Sequence, residues 1–224
     1  MFLEHKFNFD SKMALFTDTC AMWLLAAHAL FQINSPVVTI YSTLSNDNIV
    51  FGLNLLEVKG ILVDKKCMVR LLETIDQIPS IETIFCTEKF PYDMSKANLP
   101  ESRVVKVVQL ESLNLKQESK IDDLERLKLL RPQAKDVALY MFTSGSTGKP
   151  KAVIITHENI VSAVSVAIPK EFWQHRTYLA YLPQPHIYEF VAESVGIYNG
   201  FKIGFGFPLA LFDESPLVMA PSKG

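Results

Sequence analysis

The stretch FTSGSTGKPK, residues 142–151, gathers small hydroxyls, glycines and lysines, side chains suited to holding a phosphate. Gly145 and Gly148 let the backbone approach an anion closely. Thr143, Ser144, Ser146 and Thr147 offer hydroxyl donors, and Lys149 and Lys151 bring positive charge. Spacing excludes two common nucleotide loops. A Walker A loop needs four residues between its glycines and a hydroxyl residue after its lysine, whereas Ser146 and Thr147 alone separate these glycines and Pro150 follows Lys149. The dinucleotide fingerprint needs a third glycine, which is missing. Clusters of this composition are commonly solvated turns. Here the apolar run VALYMF (137–142) precedes the cluster and AVIIT (152–156) follows it, so the sequence predicts a phosphate loop pinned at both ends by buried strands.

A second segment with chemical reach is YLPQPHIYE, residues 181–189. A lone histidine among apolar residues, such as His186, is usually structural. Glu189 reads equally well as an acid in the first turn of a helix. His157 and Asn159 read as structural, and His5, His28 and His175 have no supporting pattern. Cys20, Cys67 and Cys86 are odd in number, widely spaced and set in apolar text, which suits reduced core thiols better than disulfides or a metal site.

The elements that must position these residues alternate along the chain. Short β-type runs and helical runs follow one another: MALFTD then CAMWLLAAHALFQIN, VVTIYST then NDNIVFGLNLLE, GILVD then CMVRLLETIDQI, and IETIFCTE. That rhythm predicts an α/β fold with a doubly wound, mostly parallel sheet and flanking helices. Residues 89–102 read as a surface connection, residues 104–110 as a strand, and residues 120–132 as a helix. In that helix Asp122 with Arg126 and Glu125 with Lys128 form a solvated charged face, and Pro132 ends it. Beyond the loop come the helix HENIVSAVSVAI, with Glu158 and Asn159 at its start, the strand at 177–183, the helix at 187–198 and the strand at 201–207. Open sheets bind ligands beyond the carboxyl ends of their strands, so the glycine-rich loop and LPQPHIYE are expected to share one crevice. Aromatic and aliphatic residues around 187–207 would suit an acyl channel, though such stripes are more often plain core.

Composition bounds the rest. With 224 residues, 49% hydrophobic content and a formal net charge of −2, the chain is large enough for a sizeable core and has no basic footprint for nucleic acid. Its first residues lack the pattern of a signal peptide. The longest apolar stretch, residues 21–31, is well short of the roughly 20 residues of a membrane-spanning helix.

YMFTSGSTGKPKAVIITHENI resembles the signature loop of the adenylate-forming (AMP-binding) enzymes, which include acyl-CoA synthetases, luciferases and peptide-synthetase adenylation domains. Its pattern is Thr-Ser-Gly-Ser/Thr-Thr-Gly-x-Pro-Lys-Gly, from which Ala152 alone departs. The segments PVVTIYSTL (36–44), YLPQPHIYE (181–189) and GFKIGFGFPLALFDES (200–215) are similar to long-chain fatty acyl-CoA synthetases of the animal type.

The resemblance implies ATP-dependent activation of a long-chain fatty acid to an acyl-adenylate and then to acyl-CoA, with ATP, Mg²⁺ and coenzyme A as substrates or cofactors. It implies that Thr143, Ser144, Gly145, Ser146, Thr147, Gly148, Lys149 and Lys151 bind the ATP phosphates, and that His186 lies beside the acyl carboxylate and the α-phosphate. Gln184 and Pro185 stand where the family has Leu and Ala, and a proline there removes an amide just before His186. Residues 1–12 read as an N-terminal segment and 13–224 as a partial adenylation domain. The adenine, ribose and magnesium-binding segments and the C-terminal lid domain have no counterpart in the chain. The alternative is a truncated, non-catalytic nucleotide-binding or interaction protein. The expected location is the cytosolic face of intracellular membranes (endoplasmic reticulum, mitochondrial outer membrane or peroxisome), with peripheral attachment through segments outside this sequence.

Overall fold

The computed structural model describes residues 2, 7–8, 11–110, 128, 130–143, 150–165 and 176–206. A seven-stranded sheet has the order β5-β4-β3-β1-β2-β6-β7. Its strands are β1 (Met13–Phe16), β2 (Val37–Thr39), β3 (Gly60–Val63), β4 (Thr83–Cys86), β5 (Lys106–Gln109), β6 (Val137–Thr143) and β7 (Lys151–Thr156). Every neighbouring pair is parallel except β6 with β7. A second, two-stranded parallel sheet pairs β8 (Thr177–Ala180) with β9 (Lys202–Phe205).

The strand period of two sorts the core into two layers. Ala14, Phe16, Val38, Ile40, Ile61, Val63 and Ile84 face one side, where α2 (Asn46–Leu55) and α3 (Lys65–Leu72) cover them with Ile49, Leu53, Met68 and Leu71. Met13, Leu15, Val37, Leu62, Phe85, Leu139 and Met141 face the other, against Trp23, Ala27 and Leu30 of α1 (Ala21–Gln32). Helices on both faces explain why β1 to β4 read as unbroken apolar runs: neither side of these strands meets water. The parallel, doubly wound reading therefore holds.

Two expectations change, and a third falls outside the described residues. β7 is an exposed edge strand, with Val153 and Ile154 at 44% and 58% exposure, so only the β6 end of the loop is pinned by a buried strand. An apolar run does not distinguish a central strand from an antiparallel edge strand. The strand expected at 104–110 is confined to Lys106–Gln109, with Val104 exposed. The charged helix expected at 120–132 lies outside the described residues apart from Lys128 and residues 130–132.

Local capping places the remaining helices. Thr156 and Asn159 form a capping box at the start of α4 (His157–Val164): the Thr156 hydroxyl accepts from the Asn159 amide, and the Asn159 side chain accepts from the Thr156 amide. Asp64 caps α3 by accepting from the Cys67 amide at 2.7 Å, and its second oxygen accepts from the Asp18 amide at 2.8 Å, tying the turn after β1 to α3. Arg70 of α3 donates to the Ser42 and Leu44 carbonyls and to Asn46 Oδ1, and its guanidinium lies over the Phe16 ring. These bonds fix the turn after β2.

Two outcomes test this framework. A Cβ at Gly52 of α2 would meet Phe142 Cζ at 2.8 Å, and Phe142 directly precedes Thr143. Gly52→Val is therefore expected to lower unfolding free energy by about 1–3 kcal/mol in urea titrations, the usual cost of overpacking. Arg70→Lys replaces a planar fork by a point charge, so it should lower stability by roughly 1–3 kcal/mol and raise hydrogen exchange at residues 42–46.

Candidate functional site

In parallel strands the carboxyl ends collect along one edge, and the turns leaving that edge can surround a ligand. A cavity of about 390 Å³ lies there. Its walls are Thr17, Asp18 and Thr19 after β1; Tyr41, Ser42 and Thr43 after β2; Tyr181, Pro183 and Pro185 after β8; Gly206 after β9; and Lys66 of α3. It thus joins the ends of both sheets. A second cavity of about 400 Å³, beside α3 and residues 90–96, touches no strand end and none of the sequence-predicted site residues.

The charge in the crevice is organised by Lys66, whose Nζ lies 3.0 Å from Asp18 Oδ2. Hydrogen bonding to Asp18 raises the Lys66 pKa and keeps the ammonium charged. Thr17, Thr19, Ser42 and Thr43 are the small hydroxyl residues of the wall.

Three hydrogen bonds hold the segment after β8 to the main sheet. The Thr19 hydroxyl donates to the Leu182 carbonyl at 2.7 Å, the Cys20 amide to Gln184 Oε1 at 2.9 Å, and the Thr39 hydroxyl to the Pro185 carbonyl at 3.4 Å. Gln184 and Pro185 are buried, so the two departures from the family pattern are built into the seam between the sheets. α5 (Ile187–Tyr198) completes that seam by inserting Phe190 among Trp23, His28 and Phe31 of α1.

His186 is the N-cap of α5 and is exposed. Its Nδ1 accepts from the Tyr188 amide at 3.2 Å. A neutral ring that accepts through Nδ1 carries its proton on Nε2, the nitrogen left to face a ligand. Among the described residues the ring is not part of the cavity wall, whereas its neighbour Pro185 is.

Of the predicted phosphate loop, Thr143 and Lys151 are described: they are register partners at the end of β6 and the start of β7, and both are exposed. Ser144, Gly145, Ser146, Thr147, Gly148 and Lys149 lie outside the described residues. Thr143 stands two residues beyond Met141, the register partner of Thr39. The loop therefore leaves the sheet on the same edge as the Tyr41–Thr43 turn.

Sequence reasoning singled out Glu189 but missed its burial, and missed Glu193 behind this edge. Glu189 is in the first turn of α5, as read, but it is fully buried and accepts from the Tyr178 hydroxyl at 3.0 Å instead of facing water. Burial raises its pKa. Glu193, one turn later, is also fully buried, and both of its oxygens lie 3.0 Å from Gln184 Nε2. The available signal was two acids at helical spacing within the otherwise apolar IYEFVAESVGIY. Burial pushes the Cys67 thiol up and the Cys86 thiol to about 11, so neither is a nucleophile at neutral pH. Among the described residues no group of three His, Cys, Asp or Glu side chains could hold a metal ion, and no helix is long and apolar enough to cross a membrane.

Comparison with known proteins places this geometry. The chain is 32% identical over 220 residues to long chain acyl-CoA synthetase 8 of Arabidopsis thaliana, covering 97% of this chain and 30% of the relative. It is 32% identical over 213 residues to long-chain-fatty-acid–CoA ligase 2 of Schizosaccharomyces pombe, covering 92% of this chain and 30% of that protein. The chain thus spans less than a third of the length of these relatives. The fold matches a crystal structure of a long-chain-fatty-acid-CoA ligase from Archaeoglobus fulgidus with a TM-score of 0.66 at 16% identity, over 92% of this chain and 37% of that one. The family model described as AMP-binding enzyme matches residues 1–219, and the chain belongs to that family.

Proposed function

We propose that this chain is the phosphate-loop portion of an enzyme that joins a long-chain fatty acid to coenzyme A at the expense of ATP. The observation that carries this reading is the loop Thr143–Lys151 within a chain that the AMP-binding family model matches almost throughout. In the first half-reaction the fatty acid carboxylate attacks the α-phosphate of ATP, forming an acyl-adenylate and releasing pyrophosphate. In the second the thiol of coenzyme A attacks the acyl carbon and AMP leaves. The first step brings two anions together, so fixed donors and positive charge at the phosphates are the main requirement.

In this reading the hydroxyls and amides of Thr143, Ser144, Gly145, Ser146, Thr147 and Gly148, with Lys149, hold the β- and γ-phosphates. Lys151, at the opposite base of the hairpin, adds charge. His186 donates from Nε2 toward the acyl carboxylate and the α-phosphate. A magnesium ion enters only as the counter-ion that ATP carries. A fatty acid substrate favours the cytosolic face of an intracellular membrane, such as the endoplasmic reticulum, the mitochondrial outer membrane or the peroxisome, with peripheral attachment through segments outside this sequence.

Fatty-acid-dependent ATP–pyrophosphate exchange, measured on the complete polypeptide that carries this sequence, tests the reading; no exchange with any fatty acid overturns it. Lys149→Ala should lower exchange by about 10- to 1000-fold while leaving fatty acid binding nearly unchanged, and undiminished exchange would remove Lys149 from the phosphate site. His186→Ala should raise the fatty acid concentration needed for half-maximal exchange. An unchanged dependence would leave His186 as a helix cap alone.

A further inference from the structure

The turn Pro183–His186 has little backbone to be held by. Pro183 and Pro185 carry no amide hydrogen, and the His186 amide is used inside the turn, donating to the Pro183 carbonyl at 2.9 Å. Attachment to the main sheet therefore falls to carbonyls and side chains. The Thr39 hydroxyl reaches the Pro185 carbonyl at 3.4 Å, near the limit of a hydrogen bond, and it lies 3.5 Å from the Tyr140 carbonyl as well. The Thr19 bond to the Leu182 carbonyl is short, but it ends before the turn begins.

Gln184 reaches both packing partners of the turn. Its Oε1 accepts from the Cys20 amide at the start of α1 at 2.9 Å, and its Nε2 donates to both Glu193 oxygens on α5 at 3.0 Å. A donor on one side and an acceptor on the other leave the carboxamide one orientation. Gln184 and Glu193 are fully buried, so water offers neither group a substitute partner. The carboxyl accepts in either protonation state, and ionisation strengthens the bond. Leu, the residue of the family pattern at this place, could make neither bond. The bridge also spans His186: it ties residue 184 to residue 193 across the helix start that His186 caps, where Nδ1 accepts from the Tyr188 amide.

We propose that Gln184 is the positioning residue of His186: its buried carboxamide ties the turn before α5 to Cys20 on one side and Glu193 on the other, and so fixes the imidazole toward the acyl carboxylate. The effect on fatty acid use rests on the ligase reading; the hold on the His186 turn does not.

ATP–pyrophosphate exchange by the complete polypeptide, read separately against fatty acid and against ATP, tests the effect. Gln184→Leu should raise the fatty acid concentration for half-maximal exchange by about fivefold or more, the factor carried by one good buried hydrogen bond, with the ATP dependence nearly unchanged. A residue that only supports the fold lowers the maximal rate through the share of folded enzyme and leaves the fatty acid dependence alone; that result overturns the role. In a His186→Ala background Gln184→Leu should add no further shift, and an additive shift overturns action through His186.

Rescue tests the bridge itself. Gln184→Glu sets one carboxyl against another and should raise the fatty acid requirement as Gln184→Leu does. Combined with Glu193→Gln, the carboxylate at 184 still accepts from the Cys20 amide and now accepts from the carboxamide at 193, so the requirement should return toward wild type. No recovery in the pair overturns the bridge, and this comparison decides alone if Gln184→Leu does not fold. Hydrogen exchange at peptides covering residues 18–22 and 184–188 reads the Cys20, His186 and Tyr188 amides without substrate. Protection there should fall about fivefold or more in Gln184→Glu and recover in the pair; unchanged protection overturns the positioning. If the wild type catalyses no exchange, the ligase reading falls and hydrogen exchange still decides the positioning.

Discussion

The seating of Phe190 and residues 182–185 on the main sheet is the constraint from which the rest of the site follows. Among the described residues the two sheets share no ladder hydrogen bond, and β8 and β9 pair with each other. Among the same residues they are joined by the buried Phe190 ring among Trp23, His28 and Phe31, by packing of α5 against α4, and by hydrogen bonds from Thr19, Cys20 and Thr39. A buried phenyl contributes about 3–5 kcal/mol in truncation experiments, against about 1 kcal/mol for each of the three bonds. The ring contributes at least as much as the three bonds together, and the hydrogen bonds supply the register. The crevice exists because that register brings Tyr181, Pro183 and Pro185 opposite the turns after β1 and β2.

Each wall of the crevice is held by a residue whose own role is structural. Asp64 caps α3 and grips the turn after β1, and Arg70 grips the turn after β2 through two carbonyls and Asn46. Gln184 grips the turn after β8. The pattern is one of strand ends with turns clamped from behind, with Thr17, Thr19, Ser42, Thr43 and Lys66 among the residues of the cavity wall. Preorganisation of that kind would suit the reaction between two anions proposed above.

The composition of the glycine-rich loop and, through it, the family were readable because the motif consists of residue types at short spacing: Gly145, Gly148, the hydroxyls and Lys149 are neighbours in the chain. The doubly wound class was readable for a similar reason, since β1 to β4 are buried on both faces and β1, β2 and β3 are each followed by a helix. The edge position of β7 was not readable. AVIIT carries the same apolar signal as a central strand, and its exposure follows from pairing antiparallel with β6 at the end of the sheet. Glu189 shows the same limit: an acid in the first turn of a helix is usually solvated, and its burial here comes from β8 lying across it with Tyr178.

The sequence by itself determined the period of each element, the composition of the phosphate loop and, through that loop, the family to which the chain belongs. These are local properties, set by backbone preferences and by side chains a few residues apart. Tertiary structure alone decided the strand order β5-β4-β3-β1-β2-β6-β7, the crevice between the two sheets, and the pairing of Gln184 with both Cys20 and Glu193. Gln184 and Cys20 are 164 positions apart, and no local preference selects between the alternatives at that distance. The selection is made by burial, which leaves a polar side chain in the interior one arrangement in which its donors and acceptors are met.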